Sequence, residues 1–470
     1  MNDQMQRARL IPTSGIGNER EAEQRATSAL LAVITIVRDF SSALFDSMGA
    51  SKARRAEVEA FTEVQLTLPD GQKVRPDGLV RITYGKSTWS ALIEVKTGSA
   101  ELKVDQLNNY LAAARNIDAD VVLSISNEIS VGGAHPTAGL NVRSNSKVQV
   151  RHLSWSKILT HAIHCKVHSG VEDPEQAWIL NELIRYLEHP ASGALAMSDM
   201  GPDWTEVRDG ARESTLRRSS EQVAEVAAKW DELLSFCALR LRSETGADVE
   251  QVIPRAQRDP KARLAHTTAQ LEEDGTLDGE LRIPDTAGNI AITGDLRARQ
   301  LTAAIGVQAP DDKRARGSIT WLTRQIAETA NPNLVIEAYP LRARTPAIAT
   351  LGQALDDPTA LVSEGSDIYR FVLTYRSEMG QARKTGGRRP GFIDSVTGLI
   401  DSLYGDVVQH IKPWTPSAPK VKQAEPAPDG IRLGGGDSEP VEIHEPRTGQ
   451  SEPPKIIPWD RISRNSSTTT

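Results

Sequence analysis

Apolar and polar positions follow two rhythms at the start of this chain. Leu30, Ile34, Val37 and Ser41 recur at 4–3–4 spacing, and Glu23 and Thr27 extend the same stripe towards the N-terminus. Asn18 is a suitable N-cap, Glu19 and Glu21 complement the dipole of the first turn, and Gly49 is a stop signal, so a helix is predicted from Asn18 to Gly49. The period then drops to two. Val58, Ala60, Thr62, Val64, Leu66 and Leu68 alternate with polar residues, and Asp70-Gly71 reads as a hairpin turn. Strands are predicted at Val74–Tyr84 and Trp89–Val95, a helix at Leu102–Arg115, and a buried strand at Asp120–Ser126. A glycine-rich loop (Val131–Gly139), a strand at Val148–Leu153 and helices at 155–167 and 174–188 complete a first block.

A second block runs from 200 to 412. It opens on an amphipathic helix, Ser220–Arg242, with Val223, Val226, Trp230, Leu233, Leu234, Cys237 and Leu241 on one side. A strand-rich stretch from Val249 to Val307 follows, with turns at Asp274-Gly275 and Ala287-Gly288-Asn289. A helix near 317–329, strands at 334–339 and 369–375 and a helix at 392–411 close it. The expected organisation is an α/β domain over 15–190, with a mixed sheet flanked by helices, and an α+β domain over 200–412. Residues 413–470 hold ten of the 26 prolines and Gly434-Gly435-Gly436, too little apolar surface to offset backbone entropy, so a disordered tail is expected. Its one apolar spot, Ile456-Ile457-Pro458-Trp459, is a candidate docking motif for another protein.

Composition trims the functional classes. The 470 residues are 39% hydrophobic and 25% charged, a low apolar share that the tail helps explain. A net charge of -7 excludes a chain coated in basic residues and leaves room for a local basic patch. Two cysteines, Cys165 and Cys237, exclude a disulfide scaffold and a cysteine-rich metal centre. The apolar run Ala29–Val37 is too short to span a bilayer, and the residues before it are polar and acidic, unlike a signal peptide. The expected setting is the cytoplasm, with no membrane partner. Self-association stays open.

The candidate chemistry lies in Ala91-Leu92-Ile93-Glu94-Val95-Lys96, an apolar strand that ends in charge. Alternation puts Glu94 and Lys96 on one face. Asp77, preceded by Pro76, lies on the strand that hairpins into this one and can face Glu94 across ~4.8 Å. Two carboxylates at that range are stabilised by a divalent cation, magnesium or manganese. An adjacent lysine then suits metal-assisted hydrolysis of a phosphodiester. Pro-Asp occurs six times in the chain, so placement on successive strands, rather than the dipeptide, selects Asp77. Gln106 and Tyr110 share a face of the following helix. Glu23 is a third candidate metal carboxylate, with Glu19 and Glu21 as alternatives.

Two other groups of residues have a candidate role. Arg376, Arg383, Lys384, Arg388 and Arg389 form a basic loop suited to phosphate contacts, and Lys313, Arg314 and Arg316 form a smaller cluster offset by Asp311 and Asp312. His161, His164 and His168 share a helix face without a supporting ligand set, which favours a structural role, and His135 reads as a loop residue.

Pro76-Asp77, Glu94-Val95-Lys96 and Gln106-Leu107-Asn108-Asn109-Tyr110, in this order of elements, resemble the PD-(D/E)xK nuclease superfamily over residues 15–155. The Gln-x-x-x-Tyr helix is similar to the branch containing the nuclease domains of recombination helicase–nucleases. The resemblance implies a restriction-endonuclease-like fold, magnesium held by Asp77 and Glu94 with help from the Val95 carbonyl, and a water oriented or activated by Lys96. It implies that Gln106 and Tyr110 organise the substrate or the site, and that the substrate is nucleic acid, DNA foremost. The whole chain also resembles bacterial proteins labelled "stress response protein", which suggests a stress or defence setting. Two rival readings are a nucleic-acid-binding or signalling module that keeps the fold without turnover, and a scaffold acting through its tail.

Overall fold

A computed structural model of the chain describes residues 8–50, 55–140, 142, 146–194, 196–217, 220–341, 345–363 and 365–415. The expected tail, with its Ile456–Trp459 motif, falls outside the described residues from position 416 onward.

The predicted first helix is two helices, α1 (Glu19–Ile36) and α2 (Arg38–Phe45), bent by 108°. Val37 is the break: it is extended and fully buried, so the chain turns there to bring Phe40, Leu44 and Phe45 into the same core as Leu30 and Ile34. Asn18 caps α1 as expected. Its side chain accepts from Glu21 N at 2.9 Å, and the Glu21 carboxylate returns to Gly17 N at 2.7 Å. Gly49 ends the following short turn in the left-handed region, at φ 99°.

The predicted strand at 58–68 divides into β1 (Glu57–Thr62) and β2 (Leu66–Thr67). The predicted strand at 74–84 divides into β3 (Lys73–Val74) and β4 (Gly78–Tyr84). Pro76 has no N–H to give a ladder, which ends β3 before it. Asp70-Gly71 does turn a hairpin, but only the two-residue β2–β3 pair. Next come β5 (Ser87–Val95), α3 (Val104–Asn116), β6 (Val121–Ser126) and β7 (Gln149–Ser154). The block closes with α4 (Trp155–His164) and α5 (Pro174–Leu187).

The first sheet has the order β1-β4-β5-β6-β7 and is mixed. β1, β4 and β5 are antiparallel, whereas β5, β6 and β7 run parallel. Helices cover both faces. Ile93, Val95, Leu123 and Ile125 pack with α1, α2, α4 and α5, while Leu92 and Val122 pack with Leu107, Tyr110 and Leu111 of α3. Every residue of β6 is buried, as expected for a parallel strand sealed on both sides.

The second block contains α6 (Trp204–Glu213), α7 (Glu221–Thr245), β8 (Glu250–Gln251), α8 (Pro260–Glu273), β9 (Thr276–Arg282), β10 (Ile290–Asp295) and β11 (Gln300–Gln308). After them come α9 (Ala315–Ile326), β12 (Val335–Pro340), β13 (Ala347–Thr350), α10 (Leu351–Asp356), β14 (Ile368–Glu378) and α11 (Phe392–Asp406). Its seven-stranded sheet, β13-β12-β14-β11-β10-β9-β8, is antiparallel throughout. Leu301, Ala303, Ile305 and Val307 of β11 face a core shared with α7, α9 and α11, while Gln300, Gly306 and Gln308 are exposed. The stretch expected to be strand-rich contains α8. Asp259 caps that helix by accepting from Ala262 N at 2.9 Å, and Pro260 opens its first turn.

Among the described residues, no single helix is long and apolar enough to cross a membrane. The α1–α2 pair has the length and composition together, but most of its apolar stripe is core.

Candidate active site

The β4–β5 register sets the geometry. Gly78 pairs with Ile93, so Asp77 and Glu94 are the next opposed positions. Asp77 Oδ2 accepts from Val95 N at 2.8 Å. Glu94 is 1% exposed and shares its face with Leu92, under α3. Lys96, just past the strand end, is held by its backbone: its N donates to Ile125 O at 2.8 Å, and its O accepts from Trp155 Nε1 at 2.9 Å.

The Lys96 ammonium donates to Glu94 Oε1 at 2.6 Å and to Val95 O at 2.9 Å, and lies 3.4 Å from Glu23 Oε1. Glu23 is therefore the α1 acid that faces Lys96. Glu21 is spent on the helix cap and Glu19 bonds Ser99 Oγ at 2.9 Å. Glu94 Oε2 is buried and has no donor. Asp77 and the Tyr110 hydroxyl are its side-chain neighbours. Burial first, and then the Asp77 charge, push the Glu94 carboxyl up to about 8 against the pull of Lys96. Burial also raises Glu23, again opposed by Lys96.

Gln106 and Tyr110 both point at this site. Gln106 Nε2 donates to the Tyr110 hydroxyl at 2.9 Å, and that hydroxyl donates to Arg75 O at 3.0 Å, which fixes the backbone leading into Pro76-Asp77. Burial, with the Glu94 charge next, raises the Tyr110 phenol. Among the described residues, no three His, Cys, Asp or Glu side chains converge in metal-holding geometry. Asp77 and Glu94 stand side by side, and Glu23 lies on the Lys96 side of them.

Sequence reasoning missed the continuation of this polar row. Glu94 pairs with Ser124 of β6, and Ser124 with His152 of β7, so Asp77, Glu94, Ser124 and His152 cross four strands in register. His135 comes down from the glycine-rich loop onto the same hydroxyl. Thr137 N donates to His135 Nδ1 at 3.0 Å, so the ring proton is on Nε2, 2.8 Å from Ser124 Oγ. The hydroxyl then donates to His152 Nδ1 at 2.8 Å, and His152 Nε2 donates to Glu128 O at 2.8 Å. Both imidazoles are neutral in this chain of bonds. Burial lowers His135 and takes His152 down to about 4. A serine inside the apolar β6 run was the available signal.

The remaining candidates sit elsewhere. His164 Nε2 and His168 Nε2 meet Gly246 O at 3.2 Å and Ser243 O at 2.8 Å, tying the end of α4 to the end of α7, while burial takes His161 down to about 3. In the basic loop, Arg383 and Lys384 face Asp199 at 3.4 and 3.8 Å, which offsets part of their charge, and Arg388 and Arg389 are exposed. Arg376 is also exposed but belongs to β14, paired with Thr302, and not to the loop. In the smaller cluster, Arg314 pairs with Asp367 at 3.2 Å and Lys313 lies 4.7 Å over the Trp414 ring.

The fold is mixed α/β, with a mixed sheet flanked by helices and a polar site at the carboxyl end of its central strands. No protein-family model matches the chain, and no curated protein or solved structure matches it.

Proposed function

We propose that the first block is a metal-dependent nuclease of the restriction-endonuclease-like, PD-(D/E)xK type, hydrolysing phosphodiester bonds in nucleic acid, DNA foremost, in the cytoplasm. One observation carries this reading: the Glu94 carboxylate is buried, has one oxygen without a donor, and is flanked by Asp77 and Lys96. A buried carboxylate oxygen left without a partner is costly, which is why the free carboxyl is pushed towards protonation, and a hard divalent cation would satisfy the ionised form. The donor set fits magnesium or manganese: two carboxylates and the Val95 carbonyl are hard oxygen ligands, and Glu23 is within reach of the same lysine.

When bound, the ion would polarise the phosphate and lower the pKa of a coordinated water. The protein's own groups do the rest. Lys96 orients the attacking water and stabilises charge that develops on the phosphate oxygens. Tyr110 and Gln106 hold the Arg75–Asp77 segment in place, so that Asp77 stays opposite Glu94. Purified full-length protein is expected to cut DNA with magnesium. Asp77→Ala, Glu94→Ala and Lys96→Ala are each expected to abolish cutting. Metal-independent cleavage, or full activity in all three variants, refutes the proposal.

A second reading is a nuclease-like module that binds without turnover. The closed contact of Lys96 with Glu94, Val95 and Glu23 favours it, because the lysine already serves as their counter-ion. It predicts nucleic-acid binding with no magnesium-dependent cleavage and no effect of Lys96→Ala.

A further inference from the structure

We infer that the cleft beside Glu23 and Asp77 seats the sugar–phosphate backbone of one nucleic-acid strand through Arg20, Gln24 and Arg75, without reading bases. This rests on the nuclease reading and names the substrate contacts of that same site. The cleft is open and has a volume of about 360 Å³. Arg20, Gln24 and Ser28 of α1 form one wall, and Thr62, Arg75 and Pro76 the other. Glu23, Glu63 and Asp77 also line it, so the cleft opens beside the acid that stands opposite the buried Glu94.

Charge in this cleft is arranged by depth. Glu23 and Asp77 lie towards Lys96, while at the rim Arg20 and Arg75 stand with one acid, Glu63. Arg20 is exposed and enters no ion pair or hydrogen bond among the described residues, and it stands one turn from Glu23 on α1. Arg75 is paired with Glu63 at 2.5 Å, with both side chains about half exposed (52% and 57%). An ion pair so open to water holds its partner weakly, so the guanidinium is free to turn to a phosphate, which it can grip through two parallel bonds. The Arg75 backbone cannot follow, because its carbonyl is bonded to the Tyr110 hydroxyl. The rim therefore presents a mobile cation on a fixed base.

The lining also limits what is recognised. Beside its three carboxylates it offers guanidinium, amide and hydroxyl donors and, among the described residues, no aromatic ring on which a base could stack. Contacts of this type place a strand in register without regard to sequence.

The test is fluorescence anisotropy of the full chain carrying Lys96→Ala, with magnesium, over a salt series. The probes are two labelled single-stranded oligonucleotides of unrelated sequence. Adding Arg20→Ala or Arg75→Ala is expected to weaken binding of both probes by about tenfold and to flatten the salt slope by about one. Arg20→Lys is expected to restore most of the slope. Unchanged affinity and slope in both alanine variants overturn the inference while leaving the nuclease reading intact. So does a loss confined to one sequence, or a loss of slope caused only by Arg388→Ala in the basic loop. If the Lys96→Ala protein binds neither probe, the inference and the nuclease reading fall together.

Discussion

Glu94 in the first sheet and Asp231 in the second block are both buried acids beside a cation, yet they are finished differently. Asp231 receives Gln251 Nε2 on one oxygen at 3.1 Å and Arg263 Nε on the other at 2.6 Å. Glu94 receives Lys96 on one oxygen and nothing on the other. Asp231 has a partner on each oxygen, whereas Glu94 Oε2 is, among the described residues, the one carboxylate oxygen in the buried polar atoms left without a bond, which is what a missing ligand would leave. The surroundings agree with this. In the antiparallel second sheet β11 follows simple alternation with its polar ends towards solvent, while β14 buries Thr374 between Leu373 and Tyr375. The first sheet, covered on both faces, carries a row of polar side chains through its interior.

The largest effect expected from this contrast is on catalysis. Asp77→Ala, Glu94→Ala or Lys96→Ala lowers magnesium-dependent cleavage by on the order of 10³, read as initial rate on plasmid DNA. Asp231→Asn at the other acid leaves the rate per folded molecule unchanged. If Asp231→Asn is as damaging as Glu94→Ala, the distinction between the two acids fails.

Stability should rank the two acids in the opposite order. Arg263 and Asp231 have side-chain exposures of 7% and 11%, so Asp231→Ala strands a buried guanidinium and costs ~3 kcal/mol in urea unfolding. Glu94→Gln removes a carboxyl that its surroundings already push towards the protonated form, so it costs little and leaves the metal-free protein within about 1 kcal/mol of wild type. A loss at Glu94 equal to that at Asp231 makes Glu94 a structural ion pair.

Ser124→Ala should cost about 2 kcal/mol, because it leaves His135 Nε2 and His152 Nδ1 without a partner in a buried place. Ser124→Thr should recover part of this.

The same row predicts acid lability. The His152 pKa is lower in the folded chain than the ordinary ~6.5, so below that pH the unfolded chain takes up a proton first. The stability it contributes is complete above about pH 6.5 and is lost as the pH falls towards 4. His161, taken down to about 3, acts in the same direction. His152→Gln should therefore remove about 2 kcal/mol of the stability difference between pH 7 and pH 5, measured by urea unfolding at both pH values. A pH dependence identical to wild type contradicts the neutral, buried assignment.

The pairing of Asp77 with Glu94 was legible in the sequence because it is local. One tight hairpin joins β4 and β5, and alternation fixes which side chains share a face. Glu94 opposite Ser124 and His152 was not legible, since parallel strands take their register from crossovers that carry no local signal. Val37 was read as one more position in a helical stripe. Its role as a bend comes from the core, which draws α2 back over the sheet and overrides local periodicity. The cap of α8 was readable at Asp259-Pro260, but its weak apolar stripe left it hidden among strands.

The central claim is that the open oxygen of Glu94 is completed by a divalent cation. The most direct test is the unfolding midpoint of full-length protein with and without manganese, wild type against Glu94→Gln, with no nucleic acid present. A ligand bound only by the folded chain raises stability by about 1.4 kcal/mol at ten times its dissociation constant. The account predicts a saturable rise in the wild type that is lost in Glu94→Gln. An equal rise in both proteins, or none in the wild type, would contradict it.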